Sequence, residues 1–198
     1  VAAVADRGEA RVDLLWIPLG AGAHVVRISG AVYEAVAAAL DRRRRCPLFH
    51  SALQIEVDGI RWVIESTPVP DERGRTTRGV VGEGPVGLRA LGRLRLFRYE
   101  IRRWAGGAIP DAWAAVGGPV PVSEEPERAH AVLERVPAVP TPVWGRDQLR
   151  TGEMWNSNSL TSWLLAGAGI DASALRPPNG GRAPGWDAGI AVAARRSG

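Results

Sequence analysis

A serine opening a helix, a histidine beginning a strand and a glutamate on the next strand are the residue types of a hydrolytic site. Ser157 lies in Trp155-Asn156-Ser157-Asn158-Ser159, ahead of the amphipathic run Leu160-Thr161-Ser162-Trp163-Leu164-Leu165. Well upstream stand His50, in Phe49-His50-Ser51-Ala52-Leu53-Gln54-Ile55-Glu56-Val57, and Glu65, in the segment 60–66. With Asn156 as helix cap, Ser157 is the first helical residue and shares a stripe with Leu160 and Leu164, so it is expected to point inward. Free N–H groups at a helix start can stabilise an oxyanion, and the amides of Asn156 and Asn158, read first as caps, are further donors. A serine hydroxyl attacks only when a base removes its proton; His50 has that chemistry, and Glu65 is the group to orient it.

The elements that must position these groups are legible in part. Residues 12–17 and 25–29 read as short strands. A helix follows Gly30, with Val32, Tyr33, Val36, Ala39 and Leu40 on one face, Arg42 to Arg45 in its last turn and Pro47 as its stop. Asp58-Gly59 then supplies the left-handed backbone of a two-residue hairpin between 49–57 and 60–66. Pairing Val57 with Ile60 sets Ile55 against Trp62 and Leu53 against Ile64, one apolar face. The other face carries His50, Ala52, Gln54 and Glu56 with Arg61, Val63 and Glu65, and puts Glu65 diagonal to His50. Residues 68–92 read as a long loop, 94–104 as a strand, 123–136 as a helix capped by Ser123, and 171–187 as a second irregular stretch.

Asn156-Ser157-Asn158-Ser159-Leu160 resembles the Asn-Cys-Asn-x-Phe nucleophile motif of circularly permuted papain-like hydrolases. His50-Ser51-Ala52-Leu53-Gln54-Ile55 followed by Val63-Ile64-Glu65 is similar to the histidine hairpin of the same NlpC superfamily of amidases, acyltransferases and isopeptidases. The resemblance spans roughly residues 48–166 and implies an α+β, papain-like, NlpC-like domain, its antiparallel sheet packed against helices, with Ser157 as nucleophile, His50 as base and Glu65 as orienter. Serine stands where the family has cysteine. The resemblance therefore implies either a serine-dependent hydrolase or acyltransferase acting on an amide or ester, or an inactive domain, natural or engineered, that binds a ligand or partner.

Each residue also has a plainer role. Ser157 reads as a buried hydroxyl bonded to nearby backbone, His50 as a satisfied strand-edge residue, and Glu65 as a salt-bridge partner of Arg61 or another arginine, with Gln54 as an alternative orienter. Cys46, the sole cysteine, excludes an internal disulfide and reads as buried filler. His24 falls in a glycine loop without a phosphate-binding pattern and His130 on a charged helix, so no metal or other cofactor is expected. Trp144, Trp155 and Trp186 read as loop residues flanking the cleft.

The 198 residues suit one domain, with 45% hydrophobic residues and mean hydropathy of -0.07. No apolar run is long enough to span a bilayer and no signal pattern opens the chain, so a cytoplasmic setting is expected, with a trimmed start left open by the initial Val1. The net charge of +4 is carried by arginine alone. Arg42 to Arg45 and the series Arg89, Arg93, Arg95, Arg98, Arg102 and Arg103 form a potential anion-binding surface, but no nucleic-acid motif accompanies them and compositional drift is the plainer source. The expected partner is a small-molecule or peptide substrate, with nucleic acid disfavoured and the oligomeric state open.

Overall fold

Period-two alternation fixes the centre of the fold, because a strand with one apolar face must bury that face. A computed structural model describes residues 10–21, 34–40, 42–69 and 79–196. Strands β1 (Arg11–Pro18), β2 (Phe49–Val57), β3 (Ile60–Val69), β4 (Val80–Pro85), β5 (Arg98–Ala105) and β6 (Val120–Ser123) form one antiparallel sheet in the order β4-β5-β3-β2-β1-β6. Helix α1 includes residues 34–40, and α2 (Pro126–Arg135), α3 (Ser157–Gly167) and α4 (Trp186–Arg196) follow. The domain is α+β.

The hairpin has the register expected from its side chains: Val57 faces Ile60, Ile55 faces Trp62, Leu53 faces Ile64 and Glu56 faces Arg61. Both turn residues are left-handed, Asp58 at φ 53° and Gly59 at φ 71°, as the two-residue turn demands. Arg61 Nε donates to Glu56 Oε1 at 3.0 Å on the solvent side. Leu53, Ile55, Val57 and Ile64 form the main core with Leu160, Trp163 and Leu164 of α3 and Ala129 and Val132 of α2.

The opposite face of the sheet has its own smaller core of Leu15, Ile17, Ala52, Val63 and Ile109. Ile109 belongs to the connection from β5 to β6. Given the strand order, that connection has to cross β3, β2 and β1, and its Ile109 closes the core on this face.

Several expectations fall differently. The stretch 68–92 is not one loop: β3 runs to Val69, β4 occupies 80–85, and 70–78 lie outside the described residues, as do the expected strand 25–29, His24, Val32 and Tyr33. β4 pairs with β5 despite its glycines, because the Tyr99 ring lies against Gly84, where a Cβ would stand 2.4 Å from it. β5 begins at Arg98, after 3-10 turns at Arg89–Arg93 and Arg95–Phe97. α2 begins at Pro126 with Glu125 as cap, and Ser123 ends β6 instead.

The expected apolar face of α1 is also corrected: Val36 and Leu40 are exposed, while Glu34 and Ala38 are buried. Glu34 anchors the segment by pairing with Arg43 Nη1 at 2.5 Å and accepting from the Cys46 amide at 2.9 Å. The Arg43 hydrogen bond outweighs burial and holds the Glu34 carboxyl at about 2. Cys46 is half-buried beside it, its thiol 3.4 Å from Glu34 Oε1 and pushed up by burial, so it is a local spacer and no thiolate.

The stretch 171–187 ends in an unexpected element, α4. It lies on α3 at a contact too close for a side chain, since a Cβ on Gly189 would stand 2.1 Å from the Ser159 carbonyl oxygen.

Candidate functional site

Asn156, Asn158, Ser159 and Ser162 at the start of α3 are used in joining three elements. Asn156 Oδ1 accepts from the amides of Asn158 (2.9 Å) and Ser159 (3.4 Å), and Ser159 Oγ closes a capping box by accepting from the Asn156 amide at 3.1 Å. Asn158 straps the helix to β2. Its Nδ2 donates to the carbonyls of Phe49 (3.0 Å) and Pro184 (3.0 Å), and its Oδ1 accepts from Ser51 Oγ at 2.9 Å. Ser159 and Ser162 donate to the carbonyls of Gly185 (2.7 Å) and Trp186 (2.6 Å), fixing the start of α4.

The expected oxyanion donors are thereby corrected. The Asn156 side chain donates to Pro184 O at 2.8 Å, the Asn158 side chain is committed as above, and Asn156 occupies two of the helix-start amides. Trp155 is buried in the main core, Trp186 opens α4 and packs on Trp16 at 4.8 Å, and Trp144 packs on Tyr99 at 5.1 Å, so these rings are core and not pocket walls.

Ser157 is buried, but its hydroxyl has no hydrogen bond among the described residues, and His50 is not its partner. Strand alternation explains the separation. Ser51, beside His50 on β2, points to α3 and bonds Asn158, so His50 points to the other side of the sheet. There it lies beside Ile17 in the pairing with β1, and its Nε2 meets Asp111 Oδ2 at 3.0 Å. The structure thus brings His50 to Asp111, a residue not expected from the sequence, and not to Ser157. Asp111 sits in the β5–β6 connection, where residues distant in the chain are carried across the sheet.

Glu65 is on the same face. Continuing the hairpin register sets Ala52 opposite Glu65 and His50 diagonal to it, as expected, but the carboxylate that meets the His50 ring is that of Asp111. Glu65 Oε1 lies 3.7 Å from Arg102 Nη1, whose guanidinium also donates twice to buried Glu100. Burial pushes the Glu65 carboxyl up to about 7, with Asp111 adding to the rise and Arg102 and His50 opposing it. Burial works in the same direction on Asp111, but the hydrogen bond from His50 and its charge outweigh it and hold Asp111 below the ordinary carboxylate value. The cluster therefore contains an ionised carboxylate holding an imidazole, and beside it a carboxyl near half-protonation at neutral pH. His50 and Asp111 are partly open, their side chains 24% and 18% exposed.

The raised Glu65 value has a direct consequence for stability. Folding favours its protonated form, so that contribution is full below about pH 4.5 and is lost as pH rises through about 7, up to about 3 kcal/mol in all. Glu65→Gln is expected to remove this slope: urea midpoints of wild type and variant should diverge in the variant's favour as pH rises across that window. Parallel curves would show that the carboxyl titrates normally.

His130 pairs with Asp58 at 3.3 Å on the surface, and no group of three or more metal-ligating side chains occurs among the described residues. No helix among the described residues is long and apolar enough to cross a membrane. Neither a protein-family model, a curated protein nor a solved structure matches the chain. The class defined by fold and site is accordingly an α+β domain with a six-stranded antiparallel sheet and a His–Asp–Glu cluster on the face away from its main helices.

Proposed function

We propose that the domain is a hydrolase that activates water at His50, acting on an ester or amide carbonyl. The observation that carries this reading is the 3.0 Å contact between His50 Nε2 and Asp111 Oδ2, partly open to solvent, with Glu65 on the same face. Asp111 accepts from Nε2–H and so leaves Nδ1 as the basic nitrogen. His50 Nδ1 takes a proton from water as its oxygen bonds to the carbonyl carbon. The same proton passes to the leaving oxygen or nitrogen as the tetrahedral intermediate collapses. Asp111 stabilises the imidazolium between those steps. Glu65 in its acid form donates to the developing oxyanion, a role its burial favours.

The order of the histidine hairpin, the glutamate strand and a helix opened by Asn156-Ser157-Asn158 supports a divergent, NlpC-like papain relative in which catalysis has left the helix. The acyl-serine route loses its support, because Ser157 and His50 belong to different faces. The same separation favours a second reading, a non-enzymatic domain that binds a ligand or partner.

Turnover of a panel of activated esters and amides separates the two. The hydrolase reading expects measurable turnover that His50→Ala reduces by about a hundredfold or more. Absence of turnover across the panel, or turnover indifferent to His50→Ala, leaves the binding module as the account.

A further inference from the structure

We propose that the connection between β4 and β5 docks on an anionic phospholipid surface, its arginines taking lipid phosphates and its leucines entering the interface. The segment is Leu88-Arg89-Ala90-Leu91-Gly92-Arg93-Leu94-Arg95-Leu96-Phe97. Leu88, Leu94 and Leu96 are 56%, 58% and 63% exposed, and Arg89, Arg93 and Arg95 between them are exposed as well. Single exposed leucines are ordinary; three on one short connection, interleaved with arginines, form a mixed basic and apolar surface.

Two of the four arginines there are uncompensated. Arg98 pairs with Glu83 at 2.8 Å and Arg95 approaches Glu100 at 3.7 Å, whereas Arg89 and Arg93 have no acidic partner among the described residues. Beneath them lie two adjoining hollows of about 360 and about 460 Å³, both lined by Glu83, Arg93 and Arg98. Such a hollow has room for a phosphate, which guanidinium groups bind in bidentate fashion.

The segment is held in place, so its display is not an accident of a loose loop. Arg98 Nε donates to Gly92 O at 2.7 Å, Arg146 Nε donates to Gly87 O at 3.1 Å, and Gly92 lies so close to Pro85 that a Cβ would stand 2.7 Å from the ring. A soluble phosphate compound accounts for the arginines and the hollows but leaves the leucines facing water. A phospholipid surface accounts for both, supplying phosphates at one depth and acyl chains just below it.

Co-sedimentation of the full chain with phosphatidylcholine vesicles, with and without phosphatidylglycerol, tests the proposal. Binding is expected only with the anionic lipid, about tenfold weaker for Arg89→Ala/Arg93→Ala and for Leu94→Ser/Leu96→Ser, and within about twofold of wild type for the charge-matched control Arg44→Ala/Arg45→Ala. Hydrogen exchange on the unaltered chain gives a second readout, with vesicle-dependent protection expected over residues 88–97. The proposal is overturned by any of three results: no binding to anionic vesicles, loss in the arginine pair without loss in the leucine pair, or equal loss in the control. Protection confined to another part of the chain overturns it as well.

Discussion

Asn158→Ala is expected to destabilise the fold by about 3–4 kcal/mol, read as a lowered urea midpoint with an unchanged slope. The residue is 2% exposed and its side chain joins three partners on two parts of the chain: the Ser51 hydroxyl and Phe49 carbonyl of β2, and the Pro184 carbonyl ahead of α4. Truncation removes the bonds to the Ser51 hydroxyl and the Phe49 carbonyl, each costing about 1–3 kcal/mol before any relaxation, while Pro184 O keeps the bond from Asn156 Nδ2. Ser157→Ala, one residue away in the same buried turn, removes a hydroxyl with no bond among the described residues and is expected to change stability by under about 1 kcal/mol. The contrast matters because the two residues look alike in sequence. An Asn158→Ala midpoint within error of wild type would show that the strap between α3 and β2 contributes nothing.

Asp111→Asn is expected to lower kcat by about a hundredfold or more with little change in KM. The substitution keeps the size of the side chain and removes the charge that stabilises the imidazolium. An amide can also present its NH2 group to Nε2, favouring the tautomer in which Nδ1 carries the proton and is no longer basic. A KM effect with kcat preserved would make Asp111 a binding residue and undo its orienting role. Full activity would place the base elsewhere.

The hairpin was readable to the residue because two independent signals agreed on it. Asp58-Gly59 dictates a tight turn, and only one register makes Leu53, Ile55, Trp62 and Ile64 share a face. α3 was readable from Asn156 and the run that follows it. By contrast, β4 and α4 are made by close tertiary approaches at Gly84 and Gly189, and glycine in isolation signals a break in either element.

The site was half readable. That same register already placed His50 on the face away from Leu53 and Ile55, and the apolar stripe of Leu160 and Leu164 can only pack on Leu53 and Ile55. Taken together, those two facts separate Ser157 from His50 without coordinates. Pointing inward from α3 is not the same as pointing toward His50. Asp111 carried no comparable signal. An acid in Ile109-Pro110-Asp111 reaches His50 only because β5 and β6 lie far apart in the sheet and the chain between them must cross it.

The central claim is that the chemistry belongs to the face bearing His50, Asp111 and Glu65. Its most direct measure is kcat/KM of Ser157→Ala on the best substrate of the ester and amide panel. The account predicts a value within about threefold of wild type. A loss as deep as that of His50→Ala would return the nucleophile to α3 and contradict it.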